Sequence, residues 1–426
     1  MRPSAATVLI PFLLALAGPL LRAQQAADLV IRNAKVLSED GNSWRTGSYL
    51  LLKDGRIAAL SEGVLGIEDI TVFLDAKGLY VVPGLIDLHT HFTLHPYDET
   101  PWNDQVLEES IELRTIRAVT AARATLEAGF TTVRELGTEG AGYADVALRD
   151  AIAQGIVPGP RILASTLAIV ATASYGPMGF DPRIAIQKGA QEVTGADAMR
   201  AAVRAQIHAG ADWIKVYADY RRAPGAKATA TLTLEELQAA VDEAKSAGIR
   251  VAAHATTGEG IRRAAKAKVR TIEHGGASGS LGMLALTNTV LCPTLAASEA
   301  MAIYAGWRPG EPEPERIVAT RKAFADALKA GVTIACGSDA GVFDHGDNVR
   351  EIELMHEFGM TPVQALRAAT ATAARVLDRD DLGRIGLGAV ADLVLVAEDP
   401  LQDPAALRKP LLVIQGGRIV VDRRER

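Results

Sequence analysis

The sequence is poor in the residues that mark several classes of protein. It has only two cysteines in 426 residues, Cys292 and Cys336, and both lie in apolar runs, which favours buried free thiols over a disulfide. The formal net charge is −6, and the only basic cluster is the tail that contains Arg423, Arg424 and Arg426. Because phosphate neutralisation needs clustered Lys and Arg, we predict no nucleic-acid partner. No G-x-S-x-G turn of the serine hydrolases follows any of the predicted strands.

Long apolar runs are also lacking, except near the N-terminus. Val8 to Leu21 is apolar over 14 residues and is interrupted by two prolines and a glycine. A membrane-spanning helix needs about 20 residues, so no stable membrane insertion is expected. Arg2 before this run and Ala23 after it are typical of a secretory signal peptide. We predict a signal peptide over residues 1–23 and an exported protein, periplasmic or secreted; an uncleaved anchor is the alternative.

The two ends of the mature chain have the pattern of antiparallel strands. Residues 27–82 and 383–426 both contain short apolar stretches separated by Asp-Gly or Gly-Gly turns. Similar patterns at both ends indicate that the ends meet in one small composite domain, which we predict to be a β-sandwich.

The middle of the chain, residues 83–382, alternates strand-like and helix-like segments. The helix-like segments, such as LEESIELRTIRAVTAARATLEAG and TLEELQAAVDEAKSAG, end at glycine. The eight strand-like segments are Leu85–His89, Thr131–Arg134, Arg161–Ala164, Trp213–Val216, Val251–His254, Thr271–Glu273, Val290–Pro293 and Thr333–Cys336. We therefore predict an α/β protein with a (β/α)8 barrel, whose active site lies at the C-terminal ends of the strands.

Six polar residues fall at those strand ends and suggest a metal centre: His89, His91, Lys215, His254, His274 and Asp339. Residues i and i+2 of a strand point to the same side, so His89 and His91 both point toward the barrel axis. Two imidazoles with a carboxylate suit Zn²⁺, while Mn, Co and Ni remain open.

Lys215 indicates how many ions are bound. An ammonium in an apolar strand is costly unless its pKa falls, a carboxylate pairs with it, or it is modified. A neutral lysine amine reacts with carbon dioxide to form a carbamate, whose two oxygens can bridge two cations and balance their charge. We predict two divalent ions and a carboxylated lysine; the alternative is a lysine paired with Glu135 or Glu273.

Five motifs in this order, PGLIDLHTH, DWIKVY, VAAHA, IEHG and GSDAG, resemble the metal-dependent amidohydrolase superfamily in its binuclear subtype with a carboxylated lysine. The resemblance covers nearly the whole mature chain. It implies that His89 and His91 bind the more buried ion, that His254 and His274 bind the more exposed one, and that Lys215 bridges them.

The resemblance also implies a role for Asp339, which would ligate the buried ion and take the proton from the attacking water. Metal ions lower the pKa of bound water toward about 7 and polarise carbonyl groups, and Asp339 would pass the proton to the leaving nitrogen.

Within the superfamily the chain is most similar to the imidazolonepropionase-related branch, which contains Xaa-Pro dipeptidases and bacterial amidohydrolases that split ochratoxin A into ochratoxin alpha and phenylalanine. This resemblance implies carboxypeptidase-like hydrolysis of N-acyl amino acids or dipeptides with a free carboxylate. It also implies a homo-oligomer, since octamers are common among the relatives.

The substrate carboxylate needs a cation or hydroxyl donors near the metal centre. Tyr217 and His345 are predicted to bind substrate, whereas Arg221 and Arg222 are interpreted as solvated. The segment ATASYGPMGFDPR lacks the histidine that dipeptidases often carry after the third strand, and its Tyr175 is predicted to line an aromatic acyl pocket.

Three alternatives have different signatures. A deaminase of this fold would use one metal and carry a glutamate after the fifth strand, where HATT stands instead. Cyclic-amide and lactone hydrolases share the binuclear site and remain possible beside Xaa-Pro dipeptidase activity. A non-catalytic binder would be expected to have lost some ligands.

Overall fold

The computed structural model describes residues 27–62, 70–181, 183–276 and 278–424. The predicted signal peptide lies outside these ranges. Within the described part of the chain, no helix is long and apolar enough to cross a membrane.

The fold is a mixed α/β fold that contains parallel sheets. Its strands are β1 (Ala27–Leu37), β2 (Trp44–Lys53), β3 (Arg56–Ser61), β4 (Ile70–Asp75), β5 (Tyr80–Pro83), β6 (Leu85–Thr90), β7 (Phe130–Glu135), β8 (Arg161–Leu163), β9 (Ile169–Ala171), β10 (Gln191–Val193), β11 (Trp213–Tyr217), β12 (Asp219–Arg221), β13 (Ala228–Ala230), β14 (Arg250–Ala255), β15 (Thr271–His274), β16 (Val290–Cys292), β17 (Leu393–Val396), β18 (Leu412–Gln415) and β19 (Arg418–Asp422).

The helices are α1 (Trp102–Leu107), α2 (Ile111–Glu127), α3 (Ala144–Ala153), α4 (Ala196–His208), α5 (Leu234–Ser246), α6 (Gly258–Ala267), α7 (Gly282–Thr287), α8 (Leu295–Tyr304), α9 (Glu315–Lys329), α10 (Val349–Glu357), α11 (Pro362–Ala368) and α12 (Ala371–Val376). Short 3₁₀ helices cover Ser278–Ser280 and Pro404–Arg408. The predicted helix signals act as expected: Thr233 and Glu236 form a capping box at the start of α5, and Ser110 caps α2.

Strands from both ends of the described chain share one sheet of eight strands. Its order is β19-β18-β17-β5-β1-β2-β3, with β4 also paired to β1. The N-terminal and C-terminal segments meet where β17 runs antiparallel to β5, with Leu393 opposite Pro83. Whether this sheet forms a sandwich, and where the domain boundaries fall, stay predictions.

The central segments form parallel sheets. One sheet has the order β6-β7-β8 and the other β10-β9-β11-β14-β15-β16. Backbone hydrogen bonds also join neighbouring segments beyond these sheets: the Trp213 amide donates to Ala164 (3.1 Å), the Leu291 amide to Thr333 (2.9 Å), and the Leu88 amide to Cys336 (3.0 Å).

Two details differ from the predicted strand pattern. The eighth segment forms only a single parallel bridge, Leu291 with Ile334, because the chain there leads at once into the turn around Asp339. The connection after β8 contains the extra strands β9 and β10, which pair in parallel with each other. The first seven segments are strands close to their predicted bounds.

Candidate active site

Three of the predicted metal ligands form a tight cluster at the end of β6. Ligand atoms of His89, His91 and Asp339 all lie within 4.8 Å of one another, and all three residues are buried. The Nε2 atoms of His89 and His91 are 3.3 Å apart, and Asp339 Oδ1 lies 3.5 Å from the first and 3.3 Å from the second.

Hydrogen bonds from the opposite ring nitrogens fix the two imidazoles. His89 Nδ1 faces Glu273 Oε2 at 3.0 Å, and His91 Nδ1 faces the Gly137 carbonyl at 2.8 Å. Because these acceptors require N–H at Nδ1, the Nε2 lone pairs point at each other and at Asp339. Such convergence of lone pairs fits a bound cation better than it fits direct contact between the rings.

Asp339 is held by a buried network below the cluster. Asp87, from β6, accepts hydrogen bonds from the backbone amide (2.9 Å) and hydroxyl (2.5 Å) of Ser338 and from Asn348 Nδ2 (2.8 Å). The Asp339 amide donates to the His89 carbonyl at 2.7 Å. Asp339 adopts φ 65°, a left-handed conformation that is costly outside glycine and is concentrated at functional sites.

The other three predicted ligands border this cluster. Lys215 Nζ lies 3.5 Å from His89 Nε2. The rings of His254 and His274 are 4.5 Å apart, and the His274 ring is 5.2 Å from that of His89. The structure therefore brings all six predicted residues to one place.

The alternative reading of Lys215 finds no support in its contacts. Among the described residues, neither Glu135 nor Glu273 forms an ion pair with it, and Glu273 pairs with Arg134 at 3.0 Å instead. Burial lowers the pKa of Lys215. A neutral amine is the form that reacts with carbon dioxide.

The electrostatics favour neutral imidazoles at His254 and His274 and a positive charge at His91. Burial, assisted by the charge of Lys215, lowers the pKa of His254 to about 3. Burial and the neighbouring His254 lower that of His274 to about 3. Burial also disfavours charge on His91, but the hydrogen bond and charge of Asp339 outweigh it and raise its pKa to about 9. The space between His91 and Asp339 therefore attracts a cation.

A cavity of about 500 Å³ opens over these residues. His89, His91, His254, His274 and Asp339 line it together with Tyr175 and Tyr217. Tyr217 stacks on His254 with ring centroids 4.6 Å apart, so it lies directly beside the metal centre. Burial raises the pKa of both tyrosines well above the usual value, which keeps their hydroxyls as donors.

His345 is placed differently from its predicted substrate-binding position. It is not among the residues that line the cavity. Its Nε2 faces the His91 carbonyl at 3.2 Å, and its ring stacks on Phe92 with centroids 5.1 Å apart. His345 therefore contacts the backbone of His91 and not the cavity.

Two arginines on the cavity wall were not expected there. Arg221 was interpreted from the sequence as solvated; it is exposed, and it also lines the cavity. Arg316, in the first turn of α9, is exposed and lines the cavity too. Within the described ranges neither has an acidic partner at ion-pair distance.

Sequence reasoning missed Glu139, a carboxylate that is 2% exposed and lines the same cavity. Its Oε2 accepts hydrogen bonds from Tyr175 (2.5 Å) and Trp102 (3.1 Å), and Tyr217 approaches its Oε1 at 3.4 Å. The signal in the sequence that could have identified Glu139 as a site residue is its position four residues after the end of β7, the second of the eight predicted barrel strands.

A family model described as "Amidohydrolase family" matches residues 80–420. The chain belongs to the amidohydrolase family. It is therefore a hydrolase that acts on amide bonds, and the family's dependence on divalent metals agrees with the His89, His91 and Asp339 cluster.

Several members of the family are similar over most of their length. An ochratoxinase of Aspergillus niger is 30% identical over 383 residues, which cover 80% of this chain and 75% of that protein. An uncharacterized protein of Mycobacterium tuberculosis is 30% identical over 385 residues, 88% of this chain and 92% of its own. The crystal structure of a Xaa-Pro dipeptidase with methionine in its active site superposes with a TM-score of 0.81 at 31% identity, covering 92% of this chain and 99% of the other.

Proposed function

We propose that this amidohydrolase cleaves the amide bond of N-acyl amino acids or dipeptides that end in a free carboxylate, as a carboxypeptidase-like enzyme. Ochratoxin A, which yields ochratoxin alpha and phenylalanine, is one such substrate. The observation that carries the proposal is a single cavity lined by five of the six predicted metal ligands, all but Lys215, and by the arginines Arg221 and Arg316.

The residues present fit two divalent cations, which we assign as Zn²⁺. His89, His91 and Asp339 would hold the buried ion, His254 and His274 the outer one, and Lys215, carboxylated by carbon dioxide, would lie between them. Bound there, the ions supply Lewis-acid polarisation of the carbonyl and acidification of water.

Side chains of the protein would transfer the proton, orient the metal ligands and bind the substrate. Asp339 is the only carboxylate of the ligand cluster, and we assign it the transfer of the proton from water to the leaving nitrogen. Glu273 and the Gly137 carbonyl hold the two imidazoles in orientation. Tyr217, stacked on His254, is placed to donate its hydroxyl to the substrate.

The wall of the cavity supports recognition of the two ends of the substrate. A carboxylate pairs well with a guanidinium, and neither Arg221 nor Arg316 has an internal acid partner in the described structure. Tyr175 packs against Tyr217 and Tyr220 at 4.6 and 4.7 Å, which gives an aromatic wall for the acyl group. His345 has no part in this binding.

Xaa-Pro dipeptidase activity is the second candidate, because the dipeptidase structure superposes over nearly the whole chain. Cyclic amides and lactones, which the same metal chemistry can open, are a further alternative.

The surroundings of the site are part of the proposal. We propose a closed (β/α)8 barrel. The parallel strands support it, and so do the backbone hydrogen bonds that link the third segment to the fourth, the seventh to the eighth and the eighth to the first. We also propose export through the signal peptide of residues 1–23, and a homo-oligomer, with an octamer as the first state to test.

The test is turnover by the metal-loaded protein of N-acyl amino acids, Xaa-Pro dipeptides, ochratoxin A, lactones and hydantoins. Amides with a free carboxylate are expected to be cleaved, and their carboxamide counterparts much less. Turnover of rings or esters alone would contradict the proposal. Metal analysis should find close to two ions per chain.

A further inference from the structure

A buried acid beside the predicted metal ligands has no direct ion-pair partner. Within the described part of the chain Glu139 forms no ion pair; Arg114, on whose charge it acts, donates instead to the Thr93 and Thr138 carbonyls at 2.9 and 3.1 Å. A buried charge without an opposite charge is unfavourable. Glu135 and Glu351 are also buried carboxyl groups, but neither lines the cavity.

The hydrogen bonds of Glu139 leave one of its oxygens incompletely used. Oε2 accepts from Tyr175 and Trp102, whereas Oε1 has only the long 3.4 Å contact with Tyr217. A carboxylate offers about four acceptor positions. Oε1 therefore retains capacity for a further donor from the cavity.

Aromatic rings surround this carboxylate. The Tyr175 ring lies 5.4 Å from Trp102, 4.6 Å from Tyr217 and 4.7 Å from Tyr220. Gly189 permits this packing, since a Cβ there would lie 3.2 Å from the Trp102 ring. The faces of tyrosine and tryptophan attract cations.

The backbone at Glu139 is also unusual. Its φ is 49°, in the left-handed region that side chains other than glycine, Asn and Asp seldom adopt. Such conformations persist where the surrounding structure imposes them and are concentrated at ligand-binding positions. The fold thus holds a carboxylate at the cavity wall at a conformational cost.

We infer that Glu139 and the rings of Tyr175, Tyr217 and Tyr220, which all line the cavity, form a subsite for a cationic nitrogen, an ammonium or guanidinium, carried by the substrate. This inference rests on the proposed amide hydrolysis and names a substrate class for it. Three groups of such a substrate can supply the cationic nitrogen: the α-ammonium of the acyl residue, the side chain of the acyl residue, and the side chain of the released amino acid.

Matched substrates separate these sources. Lysine has the four side-chain carbons of norleucine and carries an ammonium group on the last of them. N-acetyl-norleucyl-phenylalanine carries no cation, norleucyl-phenylalanine carries only the α-ammonium, and N-acetyl-lysyl-phenylalanine carries only a side-chain cation. N-acetyl-phenylalanyl-lysine and N-acetyl-phenylalanyl-norleucine test the released residue.

At one of these three positions, the metal-loaded wild type is expected to have a kcat/KM at least about tenfold higher for the substrate with the cation than for its neutral counterpart. Glu139→Gln should reduce that preference to within about twofold, and the ratio of the two substrates, measured within one variant, is the readout whatever the variant does to turnover of the neutral substrate. Glu235→Gln, on the exposed face of α5, is the matched control and should keep the preference. Calorimetric binding of the same pairs to chelator-treated protein gives a second readout that needs no turnover.

A wild-type ratio within twofold at all three positions, or a preference that persists in Glu139→Gln, would overturn the inference. If every dipeptide resists hydrolysis, the proposed function fails, and the calorimetric comparison still decides whether the subsite binds a cation. If the neutral dipeptides are cleaved as fast as the charged ones, the function stands and the cation subsite does not.

Discussion

The ion pair of Glu273 and Arg134 beneath the metal cluster gives a prediction in which stability and metal binding change together. Both side chains are fully buried, with Arg134 Nη2 3.0 Å from Glu273 Oε1. The other oxygen of Glu273 accepts from His89 Nδ1 at 3.0 Å. Glu273→Gln keeps the shape but removes the charge that faces both groups.

Two effects of known size follow. Arg134 would retain its bond to the Leu88 carbonyl (2.7 Å) and its position over the Trp213 ring (4.4 Å), but its buried charge would have no counter-charge. Breaking a buried pair in this way costs about 3–5 kcal/mol. Loss of the carboxylate that orients a metal-binding imidazole lowers metal affinity about 10–100-fold.

Denaturant unfolding and zinc titration of the same variant measure the two effects. The double variant Glu273→Gln/Arg134→Met should recover most of the stability, because no unpaired charge remains, but not the metal affinity, since His89 still faces a neutral amide instead of a carboxylate. Glu259→Gln removes a solvent-exposed ion pair with Arg263 and should change neither quantity appreciably. A Glu273→Gln protein with wild-type stability and zinc affinity would refute the reasoning.

Three further changes test other parts of the molecule. Lys215→Ala should lower kcat by more than about 100-fold, with partial recovery in short-chain carboxylates, and full activity of this variant would contradict a bridging carbamate. Burial raises the pKa of Glu351 from 4.5 to about 8, so between these pH values the folded protein holds a proton that the unfolded chain releases, and stability falls as pH rises. Glu351→Gln should remove this fall, so the melting temperature of the variant relative to wild type should rise from pH 5 to pH 8. A difference in melting temperature that stays constant with pH would contradict the prediction. Gly84→Ala places a Cβ 2.2 Å from Thr131 Oγ1. This overlap should lower the free energy of unfolding, measured by urea titration, by about 1–3 kcal/mol. A variant as stable as wild type would show that β6 can shift to make room.

The site was predictable where it depends on the strand pattern. Strands such as β6 and β15 are buried over nearly their whole length, so His89 and His274 at their ends stand out against apolar neighbours. Parallel strands bring their C-terminal ends to one edge, which turns separate sequence positions into one site. This rule placed the six metal-centre residues near one another without any knowledge of the loops. The two buried cysteines are free thiols, as their apolar surroundings predicted.

The loops followed no such rule. The position of His345 depends on the turn that starts at Asp339, and its ring ends against Phe92 instead of in the cavity. The surroundings of Glu139 depend on Tyr175 from the connection after β9 and on Tyr217 from the end of β11, which no local pattern encodes. Tyr175 and Tyr217 do line the cavity, but only their neighbours show what the wall can bind.

The charges below the cluster bear on the state of Lys215. Glu273 is balanced by Arg134, and Asp87 uses its oxygens to hold Ser338 and Asn348, so neither carboxylate can neutralise bound ions. Asp339 then supplies the only free negative charge among the predicted ligands. A pair of divalent ions beside one carboxylate and a lysine ammonium would be strongly repelled, whereas a carbamate replaces a positive charge by a negative one. Glu139 lies on the cavity wall outside the set of predicted ligands. Within that set the charges favour two ions only if Lys215 is carboxylated, and a protein that retains an unmodified lysine should bind a single ion.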